Sequence, residues 1–361
     1  MADALKDMFN KEFYKQLAAE LHKADKHFHP DKFVKDVTVN LQHLSLNERL
    51  RNTSVVLKNH LPGDYKKSVE ILSATIPNIN KGYTTLVFPD FVGLYGHDDF
   101  HTSMEALKYF TQFGSSEFAI REYLKRDFSK TIKVMQKWAG DKNHHVRRLA
   151  SEGSRPRLPW SFKLDAVIKN PDLTFPILDK LKADEEPYVK KSVANHLNDI
   201  SKDNTNWMLK VLNSWDKANA HTLWIIKHAS RTLIKKGNKE TLMLFDFEQN
   251  AKAEVLNLKL NKQKIRVGDS LQFEFDIRSQ KPKPQKLVID YAVHYYKKTG
   301  ILLPKVFKLK EFTLAGNSSS HLVKKHRFED FTTRKHYPGQ HAIEILINGK
   351  IAAHKEFELI E

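Results

Sequence analysis

Cysteine is absent from the 361-residue chain, and this absence excludes several kinds of site at once. Without thiols there can be no disulfide bond, no thiolate zinc site and no cysteine nucleophile. The sequence also lacks a glycine-rich phosphate loop, a dinucleotide-binding fingerprint and a nucleophile elbow. Any catalysis must therefore use carboxylates, histidines, hydroxyls or amines.

Long apolar runs and acidic residues are also scarce. No segment approaches the roughly 20 apolar residues that cross a bilayer, and the start MADALKDMFNKEF has no hydrophobic signal core. The chain has 43 Asp and Glu against 60 Lys and Arg, which gives a formal net charge of +17. This charge favours polyanionic partners, first nucleic acid and then an anionic membrane surface. We expect a cytoplasmic, monomeric protein that binds nucleic acid and no membrane.

The first two thirds of the sequence predict helices. Apolar residues recur at helical spacing through about residue 247, as at Phe13, Leu17 and Leu21. The segment DKNHHVRRLASE, from Asp141, is echoed 43 residues later by DEEPYVKKSVAN, from Asp184. A period of about 40–47 residues with two helices per unit is typical of HEAT and armadillo solenoids. The sequence therefore predicts an all-α HEAT-like repeat domain over residues 1–247.

The last third predicts strands. Alternating apolar residues indicate a half-buried sheet, and Asn348-Gly349 between two such segments is typical of a type I′ hairpin turn. About seven strands in about 110 residues suit an immunoglobulin-like β-sandwich, which we expect over residues 255–361. The alternating residues are Leu256, Leu258, Leu260, Leu271, Phe273, Phe275 and Ile277.

The stretch RRLASEGSRPRLPW, residues 147–160, contains a local conflict. Its first half is compatible with a helix that Gly153 closes in a left-handed conformation. Glu152 then lies at the helix C-terminus, where the helix dipole disfavours an anion by roughly 0.3–1 kcal/mol. Such conflicts mark functional sites. The alternative is that Arg155 or Arg157 simply neutralises the carboxylate.

Two further residues are candidates for a site. Glu117 is predicted in the first turn of a helix opened by Ser115 or Ser116, where the dipole favours an anion, so it could also be an ordinary helix-start charge. Trp160 follows Pro159 and could offer a flat face to a sugar or base, although a tryptophan in the core is the alternative.

Basic side chains recur at equivalent places of successive helical units. Stacked units would align them in a groove that contacts phosphates; the alternative is a set of solvated helix faces. No metal site is predicted at His144 and His145, because adjacent helical residues point about 100° apart. The basic residues are Arg147, Arg148, Lys190, Lys191, Lys227, Arg231 and Lys235.

Four segments together resemble the AlkC branch of the HEAT-like-repeat DNA glycosylases, which are relatives of AlkD. The segments are SSEFAIREYL, HHVRRLASEGSRPRLPW, YVKKSVANHLNDISKD and WIIKHASRTLIKKG. The resemblance covers residues 1–245 and is weakest over residues 25–100. The β tail resembles the extra immunoglobulin-like domain found in one subset of that family.

The resemblance implies a base-excision repair enzyme that hydrolyses the N-glycosidic bond of cationic N3-alkylated bases. The implied lesions are 3-methyladenine and 3-methylcytosine in double-stranded DNA, excised without base flipping and without a cofactor. It implies that Glu117 and Glu152 act at the lesion sugar and that Trp160 forms an aromatic wall. The implied DNA-binding residues, beyond the basic series above, are Arg155, Arg157, Asn195, His196, Asn198 and Asp199.

This chemistry is consistent with the residue types. A cationic base is already a good leaving group, so carboxylates need only stabilise an oxocarbenium-like sugar and position water. The alternatives are a non-catalytic DNA-binding solenoid and a protein scaffold whose charge serves an acidic partner.

The β tail is itself rich in lysine. The segments KPKPQK, YYKKTG, KVFKLK and LVKKHRFEDFTTRKH are expected near strand ends, where sandwich loops often bind ligands. We predict that they strengthen DNA binding, and that a chain ending near Asn250 folds without them; the alternative is that they serve solubility alone.

Overall fold

A computed structural model describes residues 5–248, 250–330 and 335–361. The first four residues of the N-terminal segment, and residues 331–334 within the last basic segment, lie outside the described residues. The chain forms two compact units, Met1–Ala229 and Ser230–Glu361. Among the described helices, none has the length and apolar character needed to cross a bilayer.

The first unit is helical. Polar residues begin several of its helices: the Asn10 side chain accepts a hydrogen bond from the backbone N–H of Phe13, and Asp127 accepts one from that of Lys130. The helices are α1 (Lys11–Ala24), α2 (Pro30–Val37), α3 (Leu46–His60), α4 (Tyr65–Thr75), α5 (Val87–Tyr95), α6 (Phe100–Phe110), α7 (Ala119–Arg126), α8 (Phe128–Trp138), α9 (His144–Gly153), α10 (Asp165–Lys169), α11 (Phe175–Leu181), α12 (Pro187–Ile200), α13 (Thr205–Ser214) and α14 (Ala220–Ala229).

The predicted repeat corresponds to two successive helix pairs, α8–α9 and α11–α12. Met135 and Trp138 are buried on α8, as Leu178 and Leu181 are at the equivalent positions of α11. Each pair buries its apolar face against its neighbours, as in other helical solenoids. The prediction of a HEAT-like helical domain followed by a β domain is confirmed.

The described residues of the second unit form two short helices and two β-sheets. One sheet has the strand order β1-β3-β6 and the other β2-β8-β7-β4-β5; all pairs are antiparallel except β2 with β8. The elements are α15 (Arg231–Lys235), α16 (Lys239–Leu244), β1 (Ala253–Leu260), β2 (Lys264–Arg266), β3 (Ser270–Ser279), β4 (Gln285–Tyr296), β5 (Leu302–Leu314), β6 (Ser319–Arg327), β7 (Gly339–Ile347) and β8 (Lys350–Ile360).

The sequence patterns of this unit are largely confirmed. The four alternating residues of β3, from Leu271 to Ile277, are fully buried in the core. Asn348 and Gly349 form the two-residue turn between β7 and β8, with φ angles of 49° and 78°. In β1 the alternation is interrupted, because Asn257 has a φ of 56° and the pairing with β3 shifts beyond Leu256.

The short helices α15 and α16 belong to the β unit. Lys235 Nζ donates to the carbonyl oxygen of Val306 at 3.0 Å, and Asn348 Nδ2 donates to that of Glu248 at 2.7 Å. The compact unit therefore begins at Ser230, whereas the change from helix to strand lies between Leu244 and Ala253. The division into functional domains at 1–247 and 255–361 stays a prediction.

Two basic segments of the tail lie where the sequence did not predict them. KVFKLK, residues 305–310, lies within β5, and residues 322–325 lie within β6, so neither is a loop at a strand end. In β5, Phe307 and Leu309 pack against the core while Lys308 and Lys310 are exposed, and in β6 Leu322 is buried, so apolar residues between the lysines place both segments in strands. YYKKTG does form a turn, at residues 297–300.

Candidate active site

A cleft of about 480 Å³ in the helical unit brings together the residues that the sequence singles out. We call it the carboxylate cleft. Glu117, Arg148, Glu152 and Trp160 all line it, although they come from different segments of the chain. Its other walls include Tyr83, Phe118, Leu158, Pro159 and Tyr188.

Arg148 lies between the two carboxylates of the cleft. Its guanidinium forms a close ion pair with Glu117, and its Nη2 lies 3.5 Å from Oε1 of Glu152, one helical turn along α9. It also donates to Ser115 Oγ at 2.9 Å and lies 4.7 Å from the ring centre of Tyr188. The three charged side chains are only 8–16% exposed, so the attractions are weakly screened by water.

The sequence predicts Glu117 in the first turn of a helix. In the structure it lies in the turn that precedes α7. Ser115 causes the difference: its Oγ donates to Glu117 Oε2 at 2.8 Å and accepts from the backbone N–H of Glu117 at 3.3 Å. Such local serine bonds compete with helical ones. The carboxylate still lies near the N-terminal end of α7, where the dipole favours it.

Glu152 lies in the last turn of α9, as predicted. Arg155 offsets the unfavourable interaction of this carboxylate with the helix dipole, because its Nη1 lies 2.6 Å from Glu152 Oε1. Gly153 is not left-handed but remains within α9. A Cβ there would lie 2.5 Å from Ile120 Cγ2 and 3.2 Å from Met135 Cε, so close packing between helices accounts for the glycine.

Trp160 has an unusual backbone conformation for so large a residue. Its φ is 63°, in the left-handed region that strains a non-glycine residue by about 1–3 kcal/mol. Its side chain is 68% exposed, which excludes the alternative of a tryptophan in the core. The indole meets the ring of Tyr83 edge to face, with 6.3 Å between ring centres.

Arg121 holds the loop that carries Trp160, and no pattern in the sequence predicts this role. Its fully buried guanidinium donates to the carbonyl oxygens of Gly153 at 3.0 Å, Arg155 at 2.7 Å and also Phe162. Burial, with repulsion from Arg155, lowers the pKa of Arg121 to about 10. Arginines are seldom fully buried, so a single sequence predicts an exposed side chain here.

Three of the four residues of the α12 motif that are predicted to contact DNA are buried in the helical unit. His196 is 0% exposed, and Asn198 and Asp199 are 3% and 4% exposed. His196 Nδ1 is hydrogen-bonded to the carbonyl oxygen of Ser151 at 2.9 Å, which joins α12 to α9. Burial lowers the pKa of His196 to about 3, so the ring is neutral at ordinary pH. Asn195 is partly exposed.

Four of the predicted phosphate-binding arginines are held by carboxylates, and the first of them is Arg148, which is paired with Glu117 in the cleft. Arg155 is 7% exposed and binds Asp199 as well as Glu152, so it supports the cleft from within. Arg147 forms a two-pronged ion pair with Asp184 of the next repeat, at 2.6 and 3.1 Å. Arg157 binds Asp203 in the same manner at 2.9 and 2.8 Å.

The lysines of the predicted groove are more accessible. Lys191 and Lys227 are exposed, and Lys190 lies 3.0 Å from His221 Nδ1 and over the ring of Trp224. The stripe from Lys227 to Arg231 and Lys235 does not lie on one continuous helix, because α14 ends at Ala229 and α15 begins at Arg231. Lys191 and Lys227 are therefore the exposed members of this series, whereas Arg147 and Arg148 are paired with carboxylates.

Comparison with known proteins shows the family. The family described as "DNA alkylation repair enzyme" matches residues 108–233, and the C-terminal Ig-like domain of the uncharacterised protein YhaZ matches residues 254–361. YhaZ of Bacillus subtilis is 41% identical over 99% of this chain and its own full length.

A solved structure agrees along the whole chain. The alkylpurine DNA glycosylase AlkC of Pseudomonas fluorescens, bound to DNA containing an abasic site analogue, is 46% identical. The match covers 99% of this chain and all of that one, with a TM-score of 0.94. The chain belongs to the AlkC branch of the DNA alkylation repair family.

Proposed function

We propose that the protein is a DNA glycosylase that removes cationic N3-alkylated bases, 3-methyladenine and 3-methylcytosine, from double-stranded DNA without base flipping. It acts as a monomer and uses the carboxylate cleft. The observation that carries the proposal is the pair Glu117 and Glu152, joined by Arg148 beside the exposed ring of Trp160. The activity named for the AlkC relative supports it.

The reaction requires little acid catalysis. An N3-alkylated base carries a positive charge, so it leaves as a neutral base when the bond to the sugar breaks. The electron pair of that bond departs with the base, and the positive charge passes to the sugar as an oxocarbenium-like cation. Glu117 and Glu152 stabilise this cation, and one of them accepts the proton of the water that attacks it. The products are an abasic site and the free base.

Arg148 and Trp160 assist in different ways. Arg148 holds both carboxylates in place before DNA binds, because its cation lies between them. The exposed indole of Trp160 attracts a cationic base through its negative face. Together, these groups favour a lesion that is both positively charged and flat.

The bound DNA is proposed to contact the accessible basic residues Lys190, Lys191, Lys227 and Arg231. Arg147, Arg155 and Arg157 instead stabilise the fold and the cleft through their carboxylate partners. The DNA bound to the AlkC relative supports DNA as the partner.

Base release under single-turnover conditions tests the proposal. Excess protein is mixed with duplex DNA that contains 3-methyladenine, and free base is measured against an unmodified duplex. Release of 3-methyladenine from the alkylated duplex, with no base released from the unmodified duplex, supports a glycosylase. DNA binding without release would favour a non-catalytic DNA-binding solenoid, and the absence of both would favour a protein scaffold.

A further inference from the structure

A second cavity of about 280 Å³ adjoins the carboxylate cleft, and the proposed reaction does not use it. We call it the side cavity. It lies between the α3–α5 region and the loop after α9, and it is more enclosed than the carboxylate cleft. The residues that distinguish it are Asn47, Arg51, Asp90, Glu122, Ser161 and Phe162.

The two spaces share an aromatic wall. Tyr83, Phe118 and Trp160 line both of them. The edge-to-face contact between Tyr83 and Trp160 belongs to this wall, and Phe162 adds a further ring on the side-cavity face. A flat aromatic ligand would therefore find stacking partners in the side cavity, next to the place where the glycosidic bond is proposed to break.

The lining of the side cavity has more carboxylates than cations, and two further cations, Arg121 and Lys125, lie 5.2 and 5.5 Å from the ring centre of its Phe162 wall. It has two carboxylates, Asp90 and Glu122, against one cation, Arg51, which lies 2.9 Å from Asp90 Oδ1. The Asp90 side chain is only 13% exposed, so its charge acts in a medium that screens weakly. The two lining carboxylates accept hydrogen bonds from N–H groups and have no donor to offer a phosphate.

The size of the cavity restricts the ligand further. A volume of about 280 Å³ is at the lower limit of small-molecule sites, which are roughly 300–1,000 Å³. It suits one fused-ring base, whereas a nucleotide would also have to bury its phosphate beside the carboxylates. Amino and ring N–H groups at the edge of a base match the acceptors of the side cavity, and the faces of the base match its rings.

We propose that the side cavity binds the free alkylated base after its release, as a product site separate from the carboxylate cleft. This inference rests on the proposed function, because the base must first be cleaved from DNA. A base held there is separated from the sugar by Tyr83 and Trp160, so the sugar is open to water and the reverse reaction is suppressed.

Binding of free 3-methyladenine to the full chain without DNA tests the inference, with isothermal titration calorimetry as the measurement. We expect saturable binding that inorganic phosphate does not compete for. Asp90→Asn and Glu122→Gln should each weaken it about tenfold, the loss of one hydrogen bond to a charged acceptor. Asp98→Asn, the same change at a fully exposed carboxylate, should leave it unchanged.

The variant Glu152→Gln distinguishes the two spaces. We expect it to bind free 3-methyladenine like the unchanged protein, because Glu152 lines the carboxylate cleft and not the side cavity. Loss of binding in Glu152→Gln, with normal binding in both side-cavity variants, would place the base in the carboxylate cleft and overturn the inference. The absence of saturable binding would also overturn it. Denaturation curves identify any variant that fails to fold.

The same preparation separates this inference from the proposed function. Release of base from alkylated duplex, with no binding of free base, would refute only the product site. Failure to release base from DNA would refute the proposed function and, with it, the role of the side cavity as a product site.

Discussion

Arg155 Nη1 lies 2.6 Å from Glu152 Oε1, and the same guanidinium binds Asp199 on α12 at 2.7 Å. One buried cation therefore joins the candidate catalytic carboxylate to the next repeat. It also counters the partial negative charge at the end of α9, which would otherwise disfavour Glu152. Arg155, three residues after Glu152, therefore resolves the conflict between this carboxylate and the helix dipole.

Replacement of Arg155 should destabilise the fold. Arg155→Ala leaves two buried carboxylates without their shared cation, which we expect to lower the free energy of unfolding by about 3–5 kcal/mol. Arg157→Ala removes an ion pair at the surface and should lower it by at most about 1 kcal/mol. Urea unfolding of the two variants checks the difference, and equal losses would show that the Arg155 network contributes little.

Acid should destabilise the helical unit through His196. Its pKa is about 3 in the folded chain, below its ordinary value near 6.5, so the unfolded chain binds a proton first as the pH falls. The stabilisation is complete above about pH 6.5 and declines as the pH falls toward 3. From about pH 7 to about pH 5, we expect a loss of about 2 kcal/mol from this residue. Urea unfolding of His196→Gln at the two pH values should lack that part of the loss. An identical decline of the free energy of unfolding in the variant and the unchanged protein would contradict the role of His196.

Much of the fold could be predicted from the sequence because it depends on local periodicity. The alternation from Leu271 to Ile277 and the turn at Asn348-Gly349 both describe groups that are close along the chain. Side-chain partners are different: His196 bonds to Ser151, which lies 45 residues away, and Arg121 reaches carbonyl groups 32–41 residues away. Packing between repeats decides these contacts, and this packing cannot be predicted from one sequence.

The candidate site was predictable in part for the same reason. Glu152 stood out because its conflict with the helix dipole is local. The arginines near it were expected to bind phosphate because charge alone does not reveal an internal partner such as Asp184 or Asp203. The left-handed backbone of Trp160 lies in the loop to which the buried Arg121 is hydrogen-bonded, so local sequence pattern does not predict it.

DNA binding should depend on salt through the accessible lysines. If Lys191 contacts a phosphate, Lys191→Gln should reduce the slope of log affinity against log salt by about 0.9. Arg147→Gln should change the slope much less, because Asp184 already neutralises Arg147. Fluorescence anisotropy over a series of salt concentrations measures both slopes. An affinity that does not change with salt, which is a slope near zero, would favour an acidic protein partner over DNA.

The β unit should contribute to DNA affinity and not to the chemistry. A chain ending at Ala229 is a better truncation than one ending near Asn250, because α15 and α16 pack within the β unit. We expect it to remain helical by circular dichroism, to bind duplex DNA more weakly and to release 3-methyladenine when protein is saturating. Unchanged affinity would remove the proposed role of the tail lysines, and a folded chain without activity would show that catalysis needs the β unit.

The carboxylate mechanism is tested most directly by the single-turnover rate of 3-methyladenine release in Glu152→Gln and Glu117→Gln, each measured with DNA affinity. We predict that Glu152→Gln loses most of the rate, roughly 10²-fold or more, while it still binds alkylated duplex. Glu117→Gln should lose a comparable or smaller part of the single-turnover rate. Asp98→Asn, a matched change at an exposed carboxylate outside the cleft, should keep the full rate. Unchanged rates in both cleft variants would contradict the assignment of these carboxylates to catalysis.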